Sequence, residues 1–86
     1  MTAAERKRLI EIKLIEALAP KELNIIDESH LHAGHPGARS GASHFAIEIS
    51  SDAFEGINKV KQHQKIYAAV GDMIPTEIHA LRIVIL

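Results

Sequence analysis

The N-terminal part of the chain has the pattern of an amphipathic helix. Between Thr2 and Ala19, apolar residues recur at helical spacing and charged residues occupy the remaining positions. Thr2 and Glu5 have the three-residue spacing of a capping box, and Pro20 cannot continue a helix. The pattern therefore predicts a helix from about Thr2 to Ala19. Its core face is predicted to carry Leu9, Ile12, Ile15 and Leu18, flanked by Ile10 and Leu14.

Two segments after this helix have the character of strands. The stretch from Leu23 to Ser29 is short and contains β-branched residues, which predicts a strand. Residues 33–43 are rich in glycine and small polar residues, which predicts a connecting loop. From His44 to Ser51 the chain alternates, as expected of a half-buried strand with one covered face. The two predicted faces are Phe45, Ile47 and Ile49 on one side and His44, Ala46 and Glu48 on the other.

The last third of the chain predicts a turn, a helix and a strand. SDAFEG suggests a turn anchored by Phe54, and a helix is predicted from Ile57 to Val70, ended by Gly71. After Pro75 the segment IHALRIVIL predicts a strand. The helix is predicted to carry an apolar stripe of Val60, Tyr67 and Val70 that includes His63, and the strand a shared face of His79, Leu81, Ile83 and Ile85.

The order of these elements predicts an α+β fold. Three strands and two helices suggest a small three-stranded sheet with the helices packed on one face. At 86 residues the chain has room for one core, so residues 1–86 are expected to form a single domain.

Composition narrows the functional classes. A net charge of -1 gives no overall attraction to phosphate backbones or anionic membranes, and an aromatic content of 3% argues against a base-stacking platform. The absence of cysteine excludes disulfides, thiolate nucleophiles and cysteine-containing zinc motifs. Charged residues interrupt the apolar N-terminal pieces, so no signal peptide or membrane span is predicted and a cytoplasmic location is expected.

Half of the chain's six histidines lie in the stretch HLHAGH, at His30, His32 and His35. Imidazole is a metal ligand at neutral pH, so a loop metal site is one interpretation. Solvated loop histidines are the other, since the spacing does not by itself bring the three rings together. A homo-oligomer that holds zinc through these histidines alone is a further hypothesis.

The histidines of the second helix and the last strand also have two interpretations each. His63 lies among Lys59, Lys61 and Lys65, which suits a phosphate-facing helix or, alternatively, a solvated basic face on which His63 completes the packing. His79 opens the last strand as either a ligand or a partly buried histidine with a backbone partner.

Catalytic constellations are poorly supported by the sequence. Ser29 and His30, like Ser43 and His44, are neighbours whose side chains would point apart on a strand. No glycine-rich nucleophile elbow surrounds either serine, and Asp27 and Glu28 are adjacent rather than paired across a cleft. A non-enzymatic protein is therefore expected.

Several stretches together resemble the BolA family: DESHLHAGH, SHFAIEISSDAFEG, the helix with a central His63, and IHAL. The resemblance runs from the first helix to the last residue. It implies a class II KH-like fold and a non-enzymatic protein that partners a monothiol glutaredoxin. The two proteins are expected to hold a 2Fe-2S cluster shared with glutaredoxin and glutathione, with none bound by the isolated chain. Some bacterial members of the family are regarded as DNA-binding transcriptional regulators.

The resemblance also implies ligands for the cluster. The histidine of the family's HAL motif falls on His79, and its loop ligand falls on His32, with His35 as a rival. The helix histidine falls on His63, but Gln62 and Gln64 stand where relatives usually carry arginine, which weakens the DNA-binding interpretation. The leading hypothesis is thus an accessory factor in iron-sulfur assembly, trafficking or sensing. The alternative is a transcriptional regulator that binds DNA through the 57–70 helix and Lys59, Lys61, His63 and Lys65. A weak homodimer is a further expectation.

Overall fold

The protein is described by a computed structural model covering residues 2–28 and 43–86. Two short 3-10 turns, Asp52–Phe54 and Gly71–Met73, connect the main elements. These elements are, in chain order, α1 (Ala3–Leu18), β1 (Glu22–Asp27), β2 (Ser43–Ser50), α2 (Lys59–Val70) and β3 (Ile78–Ile85).

The three strands form one mixed sheet in the order β1-β2-β3. The central strand β2 pairs antiparallel with β1 and parallel with β3. Side chains from both helices join those of the sheet in one hydrophobic core, so the helices cover one face of the sheet. The predicted α+β fold, a small three-stranded sheet with helices on one face, is confirmed.

Both ends of α1 are set by local sequence. Thr2 accepts a hydrogen bond at its side-chain oxygen from the backbone N–H of Glu5, whose carboxylate accepts one from the N–H of Thr2, both at 3.1 Å. This confirms the predicted capping box. At the other end Ala19 adopts a left-handed conformation with φ 43°, and its N–H donates to the Ile15 carbonyl at 3.1 Å. The helix thus ends at Leu18, and Ala19 separates it from Pro20.

The core face of α1 differs from the prediction. The buried residues are Ile10, Leu14 and Leu18, at intervals of four, whereas Ile15 is 51% exposed and Ile12 is also exposed. Apolar residues extend around much of this helix, and intervals of both three and four stay near one face of a 3.6-residue helix. The sequence pattern therefore predicted the helix correctly but chose the wrong row as its centre.

The predicted core face of α2 is confirmed at Val70 but is wrong at Val60 and Tyr67. Val60 and Tyr67 are 66% and 42% exposed, and the buried residues are Ile66 and Val70. The helix begins after Asn58, whose side-chain oxygen accepts a hydrogen bond from the N–H of Lys61 at 2.9 Å. Gly71 has φ -60° and leads into a 3-10 turn, so it is not a left-handed stop.

Strand β2 is more enclosed than its alternation predicted. Phe45, Ile47 and Ile49 enter the core as expected, and Phe54 is buried below the turn. Yet Ala46, on the opposite face, has no exposed surface. A central strand has a neighbour on each side, and the small alanine pairs with two longer residues, Ile26 on β1 and Arg82 on β3.

Candidate functional site at the β2–β3 bulge

The start of β3 contains an irregularity that reorients His79. Ser43 pairs with Ile78 and the next residue, His44, pairs with Ala80, so His79 is an extra residue in a β-bulge. Ile78 is fully buried, whereas His79 is exposed. The prediction that His79 shares a face with Leu81, Ile83 and Ile85 is wrong, because the bulge breaks the alternation after Ile78.

The bulge brings His79 beside a second imidazole. The ring centroids of His44 and His79 are 5.2 Å apart, and the ring planes are inclined by 52°. His44 belongs to the central strand and is 8% exposed. Among the described residues, neither ring nitrogen of His79 takes part in a hydrogen bond, so the expected alternative of a backbone partner is not found there.

His44 was not predicted from the sequence to be part of a binding site. The chain separates His44 from His79 by 35 residues, and only the register of two parallel strands brings them together. Two histidines near the starts of predicted strands were the available signal. The strand register and the bulge could not be predicted from it, because neither follows from the alternation of apolar and polar residues.

Helix α1 fixes the bulge from the core side. The Arg6 guanidinium donates to the Glu77 carboxylate at 3.0 Å and to the Ser43 hydroxyl at 3.3 Å. The N–H of Ser43 donates to the Glu77 carbonyl at 3.3 Å. Arg6 thus connects the first residue of β2 to the residue before β3, and its side chain is only 12% exposed. A partly buried, multiply bonded guanidinium is a rigid support for the two strand ends.

A salt bridge crosses the opposite face of the sheet near the two imidazoles. The guanidinium of Arg82 on β3 donates to both carboxylate oxygens of Glu28, at 3.2 and 2.8 Å. These hydrogen bonds, together with the charge of Glu28, raise the pKa of Arg82. A pocket of about 210 Å³ lies beside this pair, lined by Glu28, His44, Phe45, Ala80, Leu81 and Arg82.

The three histidines of HLHAGH, His30, His32 and His35, lie outside the described residues. The two residues that flank this stretch of chain do have defined positions. The N–H of Glu28 donates to the His44 carbonyl at 2.8 Å, and Ser43 is the neighbour of His44 and the partner of Ile78. Segment 29–42 therefore leaves and rejoins the sheet beside the bulge that carries His79.

Residues 2–28 and 43–86 hold no group of three or more histidine, aspartate or glutamate side chains placed to bind one metal ion. His79 could still contribute one ligand, because its imidazole is exposed. The remaining ligands would have to come from segment 29–42 or from another molecule.

The predicted nucleic-acid residues of α2 differ in exposure. Lys59, Lys61 and Lys65 are exposed, but His63 is half-buried. Its Nε2 atom is enclosed and has no hydrogen-bond partner within the described ranges. Gln62 donates from its side-chain amide to the carbonyls of Phe54 and Ile57, at 3.1 and 3.2 Å, and so joins the helix to the preceding turn.

The sequence and the fold are both similar to those of known proteins. A sequence model of the family described as BolA-like protein matches residues 14–86. The structure is similar to that of the BolA domain of SufE1 from Arabidopsis thaliana, with 42% identity and a TM-score of 0.81, over 93% of this chain and 88% of that domain. A structure of BolA1 from the same plant has 38% identity and a TM-score of 0.78, covering 93% of this chain and 88% of BolA1.

The curated relatives carry several names. The chloroplastic protein BOLA1 of Arabidopsis thaliana is 43% identical over 84% of this chain, and the DNA-binding transcriptional regulator BolA of Haemophilus influenzae is 39% identical over 87%. The chain spans 47% of BOLA1 and 70% of the Haemophilus protein, and only 22% of the plant SufE-like protein 1. None of these three names states a catalysed reaction, which agrees with the expectation of a non-enzymatic protein without testing it.

The cytoplasmic location stays a prediction, because plant relatives are named chloroplastic or mitochondrial. In the part of the chain that the structure describes, no helix is both long enough and apolar enough to cross a membrane. The family match covers most of the chain, and two solved structures that are 42% and 38% identical to it share its fold. The chain therefore belongs to the BolA-like protein family.

Proposed function

We propose that this protein binds a monothiol glutaredoxin and contributes two imidazoles to a 2Fe-2S cluster shared between the two chains. His79 is one ligand, and His32 or His35 is the other. The observation that carries the proposal is the exposed His79 on its bulge, next to the two points where the histidine-bearing segment 29–42 joins the sheet.

The available donors suit a shared cluster better than one held by this chain alone. The chain has no cysteine, and iron-sulfur clusters are normally held by thiolates. Two imidazoles can replace two thiolates on one iron, and this replacement raises the reduction potential. The partner's thiolates would then hold the other iron, which agrees with the lack of a three-residue ligand group among the described residues.

The chain connecting Glu28 to His32 is short enough to keep this second proposed ligand near His79, the first. His32 lies four residues after Glu28, and four residues of extended chain span at most about 14 Å. Glu28 is hydrogen-bonded to the backbone of His44, whose ring contacts that of His79. The same consideration applies to His35, seven residues after Glu28, so chain length does not distinguish the two candidates.

Co-expression with a monothiol glutaredoxin and anaerobic purification test the proposal. We expect the complex to show a visible circular dichroism spectrum distinct from that of the glutaredoxin alone, and a higher reduction potential. His79→Ala should abolish the distinct spectrum, and one of His32→Ala and His35→Ala should do the same. His63→Ala, on α2, is the matched histidine control and should retain it. A glutaredoxin whose spectrum and elution are unchanged by this protein would contradict the proposal.

DNA binding is the second candidate, favoured by the name of the Haemophilus relative and by exposed lysines on α2. Lys61 and Lys65 are four residues apart and share a helix face. The enclosed nitrogen of His63 and the structural role of Gln62 leave these lysines to supply the contacts, so binding would be to phosphate and weakly sequence-specific.

The salt dependence of DNA affinity tests this second candidate. If both lysines contact phosphate, the Lys61→Gln, Lys65→Gln double variant should reduce the slope of log affinity against log salt by roughly two. A slope that is unchanged in the double variant would remove α2 as the DNA-binding surface.

A further inference from the structure

The ring of His79 makes an aromatic contact with the ring of His44. An exposed imidazole on a strand surface can occupy several staggered rotamers. Histidines that bind metals usually have a hydrogen bond at the second ring nitrogen, which fixes the orientation and the tautomer. No described residue supplies such a bond to His79, so its orientation depends on what the ring packs against.

His44 has the properties of a fixed support. It lies in the central strand, is 8% exposed, and has strands on both sides. Its carbonyl accepts the N–H of Glu28, and the preceding residue, Ser43, is held by Arg6. A ring enclosed in this way has few accessible rotamers, whereas its exposed neighbour has many. Contact between the two rings therefore restricts His79 rather than His44.

We propose that His44 is a positioning residue for His79: its enclosed ring packs against the His79 imidazole and holds that imidazole in one orientation. The bulge places His79 beside His44, and the 5.2 Å separation and 52° inclination of the rings are those of a tilted aromatic contact. The consequence for cluster binding depends on the proposed function, whereas the restriction of His79 in the free protein does not.

Restriction before binding lowers the entropy lost when a ligand is engaged. Immobilising one side chain reduces affinity about three- to tenfold when the restriction has to be imposed during binding. Loss of the His44 ring should therefore weaken cluster retention in the glutaredoxin complex by about this factor, whereas loss of the ligand His79 should abolish it.

Three variants separate packing from other roles of His44. His44→Ala removes the ring, and His44→Phe keeps an aromatic ring without nitrogens. Val84→Ala is the structural control, since Val84 lies on the same strand as His79 and five residues away, where it shortens a half-buried side chain without touching the bulge. Thermal unfolding of each variant establishes that it is folded.

The primary readout is the rotamer distribution of His79 in the free protein, from side-chain scalar couplings in solution NMR. We expect one dominant rotamer in the unmodified protein, in His44→Phe and in Val84→Ala, and averaged couplings in His44→Ala. Unchanged His79 couplings in His44→Ala would overturn the proposal. Averaging in His44→Phe equal to that in His44→Ala would also overturn it, because ring packing would then not be the cause.

Cluster retention in the glutaredoxin complex is the second readout. We expect His44→Ala to lose the cluster about three- to tenfold faster than His44→Phe. Equal rates, despite averaged couplings in His44→Ala, would overturn the link to the cluster. If the unmodified protein binds no cluster with glutaredoxin, the proposed function fails, and the couplings in the free protein still decide the role of His44.

Discussion

At the scale of single residues, three histidines of the same chemical type have different surroundings. His44 is enclosed in the central strand, His79 is exposed on a bulge, and His63 is half-buried with an enclosed nitrogen. Both His63 and His79 were candidates from the sequence, but the pairing of His79 with His44 was not predicted. Strand register decides that pairing, and register is a tertiary property.

Gln62, which stands where relatives usually carry arginine, has a structural role on α2. Its position before His63 suggested a missing charge on a DNA-binding face. The structure directs its amide instead to the carbonyls of Phe54 and Ile57. Arginine also carries N–H donors, so we expect an arginine at this position to donate to the same carbonyls.

Replacement of this donor should lower stability. Gln62→Leu removes two partly buried hydrogen bonds and is expected to reduce the free energy of unfolding by about 1–2 kcal/mol. Gln62→Arg should retain most of that stability. Chemical denaturation measures both, and Gln64→Leu on the exposed side of the helix is the matched control. A Gln62→Leu variant as stable as Gln64→Leu would contradict the assigned role.

At the scale of elements, sequence patterns located helices and strands more reliably than they located their buried faces. The capping box at Thr2 and Glu5 depends on local spacing and was predicted correctly. The centre of the α1 core face was not, because Ile10, Leu14 and Leu18 and the predicted row have similar apolar character. In β3, a single extra residue reversed the face of His79.

The C-terminal end of α1 allows a test at this scale. Ala19 has φ 43°, where a Cβ atom is strained and glycine is not. Ala19→Gly should therefore raise the free energy of unfolding by about 0.5–1 kcal/mol, after the larger entropy of glycine in the unfolded chain is included. Ala17→Gly, in the exposed last turn of the same helix, should lower it by a similar amount. A lower stability for Ala19→Gly in chemical denaturation would show that the left-handed conformation is not populated.

At the scale of the whole molecule, the two helices of residues 2–28 and 43–86 pack on one face of the sheet, and the histidine pair lies where the pairing of β2 and β3 begins. Arg6 holds the strand ends from the helix side, and the Glu28–Arg82 pair crosses the other side. A net charge of -1 provides little general attraction to nucleic acid, so the exposed His79 is a more specific feature than the lysines of α2.

The central claim is that imidazoles of this chain bind the iron of a shared cluster. The most direct test is pulsed electron paramagnetic resonance of the reduced complex, assembled from ¹⁵N-histidine-labelled protein and unlabelled glutaredoxin. We predict two strongly coupled ¹⁵N nuclei in the unmodified complex. In His79→Ala, which is expected to lose the shared cluster, neither coupling should remain. A cluster that forms in the unmodified complex but shows no strong ¹⁵N coupling to the labelled chain would contradict the claim.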